Sequence, residues 1–262
     1  MLPKLKDTLT RMDLGLEGKV VFVTGASRGL GCSIAVAFHR EGCRVALNAR
    51  QEEPLARLCA SLGERVMSVP GDVTDQQVAQ DLIGSVEKEW GRLDVVVCNV
   101  GSGRSVSPGQ ESLSEWERVM RLNLYGATNV VEAATEILAM TGGAVICISS
   151  ICGLEALGAP VTYSAAKAAL NSYVHGIARP LGRRGIRINA VAPGNLLFEG
   201  SVWEQKLAQD PQGVQEMLNR EVALQRLGQP EEIAHFVTFL ASPRASFASG
   251  AVFVVDGGQT RS

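Results

Sequence analysis

The amino-acid sequence predicts an α/β fold in which helices cover both faces of a doubly wound, seven-stranded parallel sheet. Short apolar runs alternate with longer amphipathic stretches along the chain, and this alternation is typical of right-handed βαβ units. Several runs are apolar throughout, as expected of strands that are covered on both sides. The 262 residues are 46% hydrophobic and 20% charged, which favours one domain with an extensive core.

The apolar runs predict strands at 20–23, 44–47, 66–69, 93–98, 144–148, 186–191 and 251–255. Apolar residues at helical spacing predict helices at 29–41, 52–61, 75–90, 114–139, 162–182 and 230–241. Residues 194–229 carry Phe198, Trp203 and Met217 but no strand signal, and we interpret them as a substrate lid built from short helices. No repeat, low-complexity block or linker divides residues 15–262, so we treat them as one domain.

Residues 1–14 form an N-terminal extension in this interpretation. Leu2, Leu5, Leu9 and Met12 are spaced like one face of a helix, with lysines between them. This pattern is compatible with a small membrane or partner anchor, but a frayed tail is the preferred interpretation. Met12 is a candidate for the physiological start of the chain.

Composition argues against several classes of function. A formal net charge of −2 gives no overall field that attracts nucleic acid or an anionic membrane, and no apolar run approaches the roughly 20 residues that span a bilayer. The N-terminus also lacks a secretory apolar region. The six cysteines form no CxxC pair and the three histidines are scattered, which predicts a cytoplasmic protein with reduced thiols and no metal site.

A glycine-rich turn follows the first strand directly and leads into the first helix. The order of strand, turn and helix predicts a cradle for a pyrophosphate, because glycines permit close approach and a helix N-terminus presents unpaired N–H groups. The spacing is G-x3-G-x-G, and an ordinary tight turn is the alternative. The candidate dinucleotide-binding residues of this turn are Gly25, Ser27, Arg28, Gly29, Leu30 and Gly31.

The end of the second strand bears on the choice of dinucleotide. A carboxylate there would bind the ribose 2′-hydroxyl of NAD, whereas this chain has Asn48-Ala49-Arg50. Arg50 and Arg28 are suited to clamp a 2′-phosphate, so NADP(H) is preferred and NAD(H) remains possible; two solvated arginines are the alternative. Asp72, with Val73 beside it, is a candidate to bind the adenine amino group of the dinucleotide. The alternative is that Asp72 caps a helix that begins near Thr74.

Three residues outline a carbonyl-reducing site. Tyr163 and Lys167 are four residues apart, which places them on one face of a helix, and Ser150 lies 13 positions upstream of Tyr163. A nearby ammonium lowers the pKa of a phenol from about 10. We therefore expect Lys167 to make Tyr163 usable for proton transfer near neutral pH.

With Asn99-Val100-Gly101 and Asn123 added to these motifs, the chain resembles the short-chain dehydrogenase/reductase family along nearly its whole length. The resemblance implies a Rossmann fold, and it implies a catalytic tetrad formed by Asn123, Ser150, Tyr163 and Lys167. Tyr163 is then the general acid or base, Ser150 polarises the substrate oxygen, Lys167 holds the nicotinamide ribose, and Asn123 positions a water that links Lys167 to solvent. The further cofactor contacts implied are Asn99, Gly101, Tyr163, Lys167, Pro193, Gly194 and Leu196.

Each member of the tetrad also has an ordinary structural interpretation: Asn123 as a helix side chain that bonds backbone, Ser150 as a turn residue at a strand end, and Tyr163 with Lys167 as an exposed helix pair. Two positions depart from the family pattern. Cys98-Asn99-Val100-Gly101 stands where Asn-Asn-Ala-Gly is usual, and Phe198 stands where many relatives place a threonine that bonds the nicotinamide carboxamide. The backbone near Leu196 is a possible substitute for that contact, and Phe198 is expected to line the substrate pocket.

The leading functional hypothesis is NADPH-dependent reduction of a ketone or 3-oxoacyl substrate, as in 3-oxoacyl-carrier-protein reductases and carbonyl reductases. The alternatives are an alcohol or sugar dehydrogenase working oxidatively, and a non-catalytic dinucleotide-binding or structural subunit. Arg104 either meets an anionic group of the substrate or faces solvent, and Cys152 is interpreted as packing, since no neighbouring cation is evident. The resemblance implies a homotetramer or homodimer that pairs through helices 114–139 and 162–182 and the last strand.

Overall fold

The computed structural model describes residues 13–261, and it confirms the predicted fold class. Within these residues seven parallel strands form one sheet in the order β3-β2-β1-β4-β5-β6-β7. The strands are β1 (Val20–Val23), β2 (Arg44–Leu47), β3 (Val66–Ser68), β4 (Val95–Cys98), β5 (Ala144–Ile148), β6 (Arg187–Pro193) and β7 (Val252–Val255).

The direction of winding reverses between β1 and β4, which are neighbours in the sheet although β2 and β3 lie between them in sequence. Connections diverge from this point, and their divergence opens a crevice beyond the carboxyl ends of the strands, where ligands of such sheets bind. The glycine-rich turn after β1 and Asn99 after β4 both lie at this edge.

The helices are α1 (Gly29–Arg40), α2 (Glu52–Leu62), α3 (Gln76–Trp90), α4 (Leu113–Met120), α5 (Gly126–Thr141), α6 (Val161–Gly182), α7 (Val202–Gln209), α8 (Pro211–Glu221) and α9 (Pro230–Ala241). The predicted helix at 114–139 is wrong as one regular element. A π-helical turn at Arg121–Tyr125 separates α4 from α5. Strand ends also differ slightly from the prediction: β4 begins at Val95, and β6 continues to Pro193.

The sheet separates two layers of buried apolar side chains, as the continuously apolar strands predict. Helices α3, α5 and α6 pack on one face, where Leu82, Val130 and Leu170 are fully or almost fully buried. Helices α1, α2 and α9 pack on the other face, which buries Phe38 and Leu55 completely. Cover on both sides holds the carboxyl edge of the sheet in a fixed place for the site.

Residues 194–229 contain the two short helices α7 and α8, as predicted. The Ser201 hydroxyl caps α7 by accepting a hydrogen bond from the Glu204 amide, and the Asp210 carboxylate caps α8 by accepting one from the Gly213 amide. These helices enclose a small apolar cluster of their own. We refer to residues 194–229 as the lid segment.

The described chain begins beside the short helical turn Pro243–Ala245. The Arg244 Nε donates a hydrogen bond of 2.7 Å to the Asp13 carbonyl, and Leu14 packs against one of the core layers. The hypotheses for residues 1–12, a tail or an anchor and Met12 as the start, lie outside the described residues. Within residues 13–261, no helix combines the length and the apolar character needed to cross a membrane.

Candidate active site

The glycine-rich turn is fastened to the end of β4 by Thr24 and Asn99. The Thr24 hydroxyl accepts hydrogen bonds from the Asn99 and Val100 amides, and the Asn99 side chain donates to the carbonyls of Thr24 and Gly25. A side chain at Gly31 would collide with the Gly25 carbonyl. Asn99, predicted as a cofactor contact, therefore holds the turn in shape, and Val100 packs beside it.

Phe198 lies across this turn. A Cβ added at Gly29 would come within 2.6 Å of the Phe198 ring, and one added at Gly200 would come within 3.4 Å of the Arg28 guanidinium. The ring contacts the beginning of α1, and the expected contact of Phe198 with the substrate pocket remains a prediction. Backbone in the left-handed region at Gly29, where φ is +54°, makes this close approach possible. Ser27 and Leu30 complete the turn, and Leu30 also packs against the core.

At the end of β2, the Asn48 side chain is fully buried and donates to the carbonyls of Val69 and Gly71. Arg50 is exposed, and among the described residues it has no hydrogen-bond or ion-pair partner. The guanidinium is therefore free to meet a phosphate. The two-arginine clamp of Arg28 and Arg50 remains a prediction.

Asp72 does not cap the next helix. Asp75 is the N-cap of α3, and its carboxylate accepts from the Val78 amide, whereas the Asp72 carboxylate accepts from the Thr74 amide in a turn before the helix. The helix therefore begins later than predicted. Val73 is 1% exposed and packs in the core, so its side chain is not available to a ligand.

The π-helical turn between α4 and α5 carries Asn123. Its side-chain carbonyl accepts from the Ser102 amide at 2.9 Å, and its side-chain nitrogen donates to the carbonyls of Ser102 and Val119. A Cβ at Gly101 would lie 2.8 Å from Asn123 Oδ1 and 3.1 Å from Lys167 Nζ. Because residue 101 is a glycine, the loop after β4 can pack against the side chains of both Asn123 and Lys167.

Ser150 follows β5 and begins the short helical turn Ile151–Gly153. Its hydroxyl accepts a hydrogen bond from the Cys152 amide at 3.2 Å. A hydrogen bond between Ser150 and the Tyr163 phenol acts to lower the pKa of Tyr163. The structure thus brings Ser150, Tyr163 and Lys167 together at the carboxyl edge of the sheet.

Lys167 and Tyr163 occupy one face of α6, as their spacing predicts, but their electrostatics differ from the prediction. Lys167 is 3% exposed, donates to the Ile148 carbonyl at 2.8 Å, and lies 5.9 Å from the centre of the Tyr163 ring. Burial raises the pKa of Tyr163 to about 12, the hydrogen bond with Ser150 opposes this, and Lys167 does not pull it down. Burial in turn lowers the pKa of Lys167 to about 8.

Cys152 does have a neighbouring cation, contrary to expectation. Lys206 of α7 acts to lower the pKa of the Cys152 thiol, while its ammonium lies 4.4 Å from the centre of the Trp203 ring. Burial outweighs this effect and raises the pKa of Cys152. All six cysteines are free, and Cys152 remains protonated, as a packing residue does.

Residues 99–112 form the loop between β4 and α4, and this loop is anchored beside Tyr163. The Ser105 hydroxyl lies 2.7 Å from both a Glu115 carboxylate oxygen and the Thr162 hydroxyl. Hydrogen bonds from Arg118 and Ser105 lower the pKa of Glu115 to about 2. Arg104 itself is exposed, which matches the solvent-facing alternative.

The segment after β6 approaches the end of β7. A Cβ at Gly194 would lie 2.8 Å from Asp256 Cα, and the Gly194 amide donates to the Val255 carbonyl. Pro193 ends β6 and is buried, whereas Leu196 forms an isolated bridge with Gly228 and packs against the core. Backbone at these positions faces the same edge of the sheet as the glycine-rich turn.

Sequence reasoning missed two residues, Asn171 and Lys206. Asn171 continues the spacing of Tyr163 and Lys167 by four further residues, which is a signal that could have identified it. Lys206 gave no such signal, because its position beside Cys152 depends on the folding of the lid segment. Within residues 13–261, no group of three or more His, Cys, Asp or Glu side chains could hold a metal ion.

The arrangement fits a dinucleotide. The N-terminal turn of α1 presents unpaired amides at the carboxyl edge, Gly101 leaves no side chain between Asn123 and Lys167, and Arg50 supplies a free guanidinium. The Ser150 hydroxyl and the Tyr163 phenol lie beside Lys167, where an oxygen of a small molecule could accept a hydrogen bond from each of them.

Comparison with known proteins agrees with this geometry. A family model described as enoyl-(acyl carrier protein) reductase matches residues 25–260. An L-rhamnose 1-dehydrogenase (NAD(P)(+)) of Sphingomonas sp. (strain SKA58) is 36% identical over 249 residues, and the match covers 93% of this chain and 96% of that protein.

Two further comparisons extend the range of activities. A 3-oxoacyl-acyl-carrier-protein reductase of Thermotoga maritima is 32% identical over 251 residues, and the match covers 93% of this chain and 98% of that protein. The crystal structure of L-sorbose reductase from Gluconobacter frateurii, complexed with NADPH and L-sorbose, superposes with a TM-score of 0.90 at 31% identity. That superposition covers 96% of this chain and all of the other.

Proposed function

Because the chain belongs to the short-chain dehydrogenase/reductase family of oxidoreductases, we propose that it reduces a ketone or 3-oxoacyl substrate to the alcohol with NADPH. The observation that carries the proposal is the half-buried phenol of Tyr163, which lies beside Ser150 and Lys167 at the carboxyl edge of the sheet. With a pKa of about 12, this phenol holds its proton at neutral pH and is ready to donate it.

Tyr163 and Ser150 both direct hydroxyls toward the substrate oxygen in this proposal. Ser150 polarises the carbonyl by donating a hydrogen bond, and Tyr163 transfers its proton to the oxygen as negative charge develops there. Two hydroxyl groups beside one oxygen favour a carbonyl over a carbon–carbon double bond as the acceptor. The reduced nicotinamide, when bound, supplies the hydride to the carbonyl carbon.

Lys167 and Asn123 have supporting roles in this reaction. The Lys167 ammonium, held by the Ile148 carbonyl, is placed to bind a ribose hydroxyl of the dinucleotide and to restore the proton of Tyr163. Asn123 fixes the loop that carries Gly101. The glycine-rich turn and the first amides of α1 hold the pyrophosphate.

The test of the reaction is Tyr163→Phe, which removes only the proton donor. Turnover of accepted ketones with NADPH should fall by about 10² to 10⁴-fold, a far larger effect than any change in the dissociation constant for NADPH. Tyr173→Phe, on the same helix, is the matched control and should keep its turnover. An unaltered rate in Tyr163→Phe would refute the proposed role.

The proposed preference for NADP(H) over NAD(H) rests on Arg50. No carboxylate stands at Asn48-Ala49 to favour the 2′-hydroxyl of NAD, and the Arg50 guanidinium is exposed and without a described partner. Arg50→Ala should weaken NADPH binding by about 10- to 100-fold, since a charge-assisted hydrogen bond contributes about 1.5–3 kcal/mol, and should leave NADH binding unchanged. Arg44→Ala, at the opposite end of β2, is the control; equal losses for both dinucleotides would contradict the assignment.

A second candidate is oxidation or reduction of a sugar. The similarity to an L-rhamnose 1-dehydrogenase and an L-sorbose reductase supports this candidate. Parallel assays of ketoses and 3-oxoacyl thioesters with NADPH, and of aldoses with NADP⁺ and NAD⁺, separate the candidates by their ratios of kcat to KM.

A further inference from the structure

Tyr163, Lys167 and Asn171 form one stripe along α6, because residues four apart in a helix share a face. The stripe faces the end of β5 and the turn that carries Ser150. Asn171 is 4% exposed, so its amide group must find its partners within the protein.

Both ends of the Asn171 amide are bound by residues that flank Ser150. The Ser149 hydroxyl donates a hydrogen bond of 2.5 Å to Asn171 Oδ1, and Asn171 Nδ2 donates one of 3.3 Å to the Gly153 carbonyl. Ser149 precedes Ser150, and Gly153 ends the helical turn that begins after it. One side chain therefore grips the chain on both sides of Ser150.

The turn has little freedom to adjust by itself. A Cβ at Gly153 would lie 2.7 Å from the Lys167 carbonyl carbon, so the turn lies directly on the backbone of α6. Within the turn, the Cys152 amide donates to the Ser150 hydroxyl and the Gly153 amide donates to the Ser150 carbonyl. A shift of Gly153 thus moves the groups that orient Ser150.

We propose that Asn171 is a positioning residue that sets the Ser150 hydroxyl against Tyr163 and Lys167 on the same helix. This proposal rests on the proposed function for its kinetic effect. Asn171 touches neither the substrate oxygen nor the dinucleotide in this account, and it acts through Ser150 alone.

The test is Asn171→Leu, which keeps a similar volume and removes both hydrogen bonds. The variant should bind NADPH with an unchanged dissociation constant, and its kcat should fall by about 10- to 100-fold, because a misplacement of about 1 Å at a reacting group has an effect of this size. Ser149→Ala removes the hydrogen bonds from the Ser149 hydroxyl to Asn171 Oδ1 and to the Lys167 carbonyl but keeps the one from Asn171 to Gly153, and it should give a smaller loss. Asn189→Leu is the matched control. Asn189 lies on β6, is fully buried, and forms hydrogen bonds with the Ala248 carbonyl and the Ala251 amide. The Asn189→Leu variant should therefore lose stability without losing kcat.

A double substitution separates positioning from general damage to the fold. If Asn171 acts through Ser150, adding Asn171→Leu to Ser150→Ala should lower kcat no further than Ser150→Ala alone. A further drop of tenfold or more in the double variant, or an equal loss of kcat in Asn189→Leu, would overturn the proposal.

Crystal structures of the wild type and of Asn171→Leu test the positioning role without an activity measurement. The Ser150 hydroxyl should move by about 1 Å relative to the Tyr163 phenol, and a hydroxyl that stays in place would reject the positioning role. Absence of carbonyl turnover in the wild type would instead count against the proposed function.

Discussion

At the scale of single residues, the sharpest steric constraint is at Gly29. The residue has φ of +54°, which a side chain adopts at a cost of about 1–2 kcal/mol, and a Cβ there would press into the Phe198 ring. Gly29→Ala should therefore lower the free energy of unfolding by about 3 kcal/mol, the sum of backbone strain and a local overpacking of about 1–2 kcal/mol.

Phe198→Ala isolates the part of this loss that comes from the ring. In that background Gly29→Ala should lower the free energy of unfolding by only about 1–2 kcal/mol, because the clash is gone and the backbone strain remains. Denaturant unfolding of the four proteins in the cycle measures the coupling. Equal losses in both backgrounds would show that the ring yields without resistance.

Lys167 illustrates a conflict between activity and stability. An unfolded lysine keeps its proton to a pH of about 10.4, whereas burial lowers the pKa of Lys167 to about 8. Between these values the unfolded chain binds more protons than the native protein, so this group makes stability rise with pH. Below pH 8 the buried ammonium destabilises the fold by an amount on the order of 3 kcal/mol.

Lys167→Met should consequently be inactive in ketone reduction but more stable at pH 7, by about 2 kcal/mol once the lost bond to the Ile148 carbonyl is subtracted. The stability difference between variant and wild type should shrink as pH rises from 8 to 10. Denaturant unfolding at pH 7, 8, 9 and 9.5 measures it. A difference that does not change with pH would contradict the lowered pKa.

At the scale of elements, prediction succeeded where the signal is local. The strand at 20–23, the glycine-rich turn and α1 were predicted almost to the residue, because apolar runs, glycines and helical spacing each act over a few positions. The π-helical turn at Arg121–Tyr125 was missed, since the pattern of apolar residues continues through it. Its presence nevertheless sets where the Asn123 side chain meets the loop at Ser102.

Contacts between elements that are distant in sequence could not be predicted from the sequence alone. Phe198 on Gly29 and Lys206 near Cys152 both depend on how the lid segment folds back on the sheet. The raised pKa of Tyr163 is a similar case, because the sequence identified the nearby ammonium but not the burial that outweighs it. Spacing pointed to Ser150, Tyr163 and Lys167, whereas the resemblance to the family implied Asn123 as the fourth member of the tetrad; the roles of all four remain predictions for the variants above.

At the scale of the whole molecule, the lid segment is distinguished by its separate apolar cluster. Within residues 13–261, buried apolar side chains form two large layers on the sheet and this third, smaller group. A segment with few buried apolar contacts opens at a lower free energy than the domain as a whole. We therefore expect amide hydrogens of α7 and α8 to exchange faster than those of β4 and β5, and to slow when NADPH binds and stabilises the closed arrangement.

Leu218→Ala tests this independence, because Leu218 is 4% exposed and belongs to the cluster of the lid segment. The truncation removes about 2–5 kcal/mol of packing, which should speed amide exchange in α7 and α8 and raise KM while the β4 and β5 amides keep their protection. Leu170→Ala is the same substitution in the layer beneath α6, and it should lower the protection of the whole domain. If Leu218→Ala lowered protection in β4 and β5 as far as in α8, the lid segment would be unfolding together with the sheet, and its movement could not control access to Tyr163 on its own.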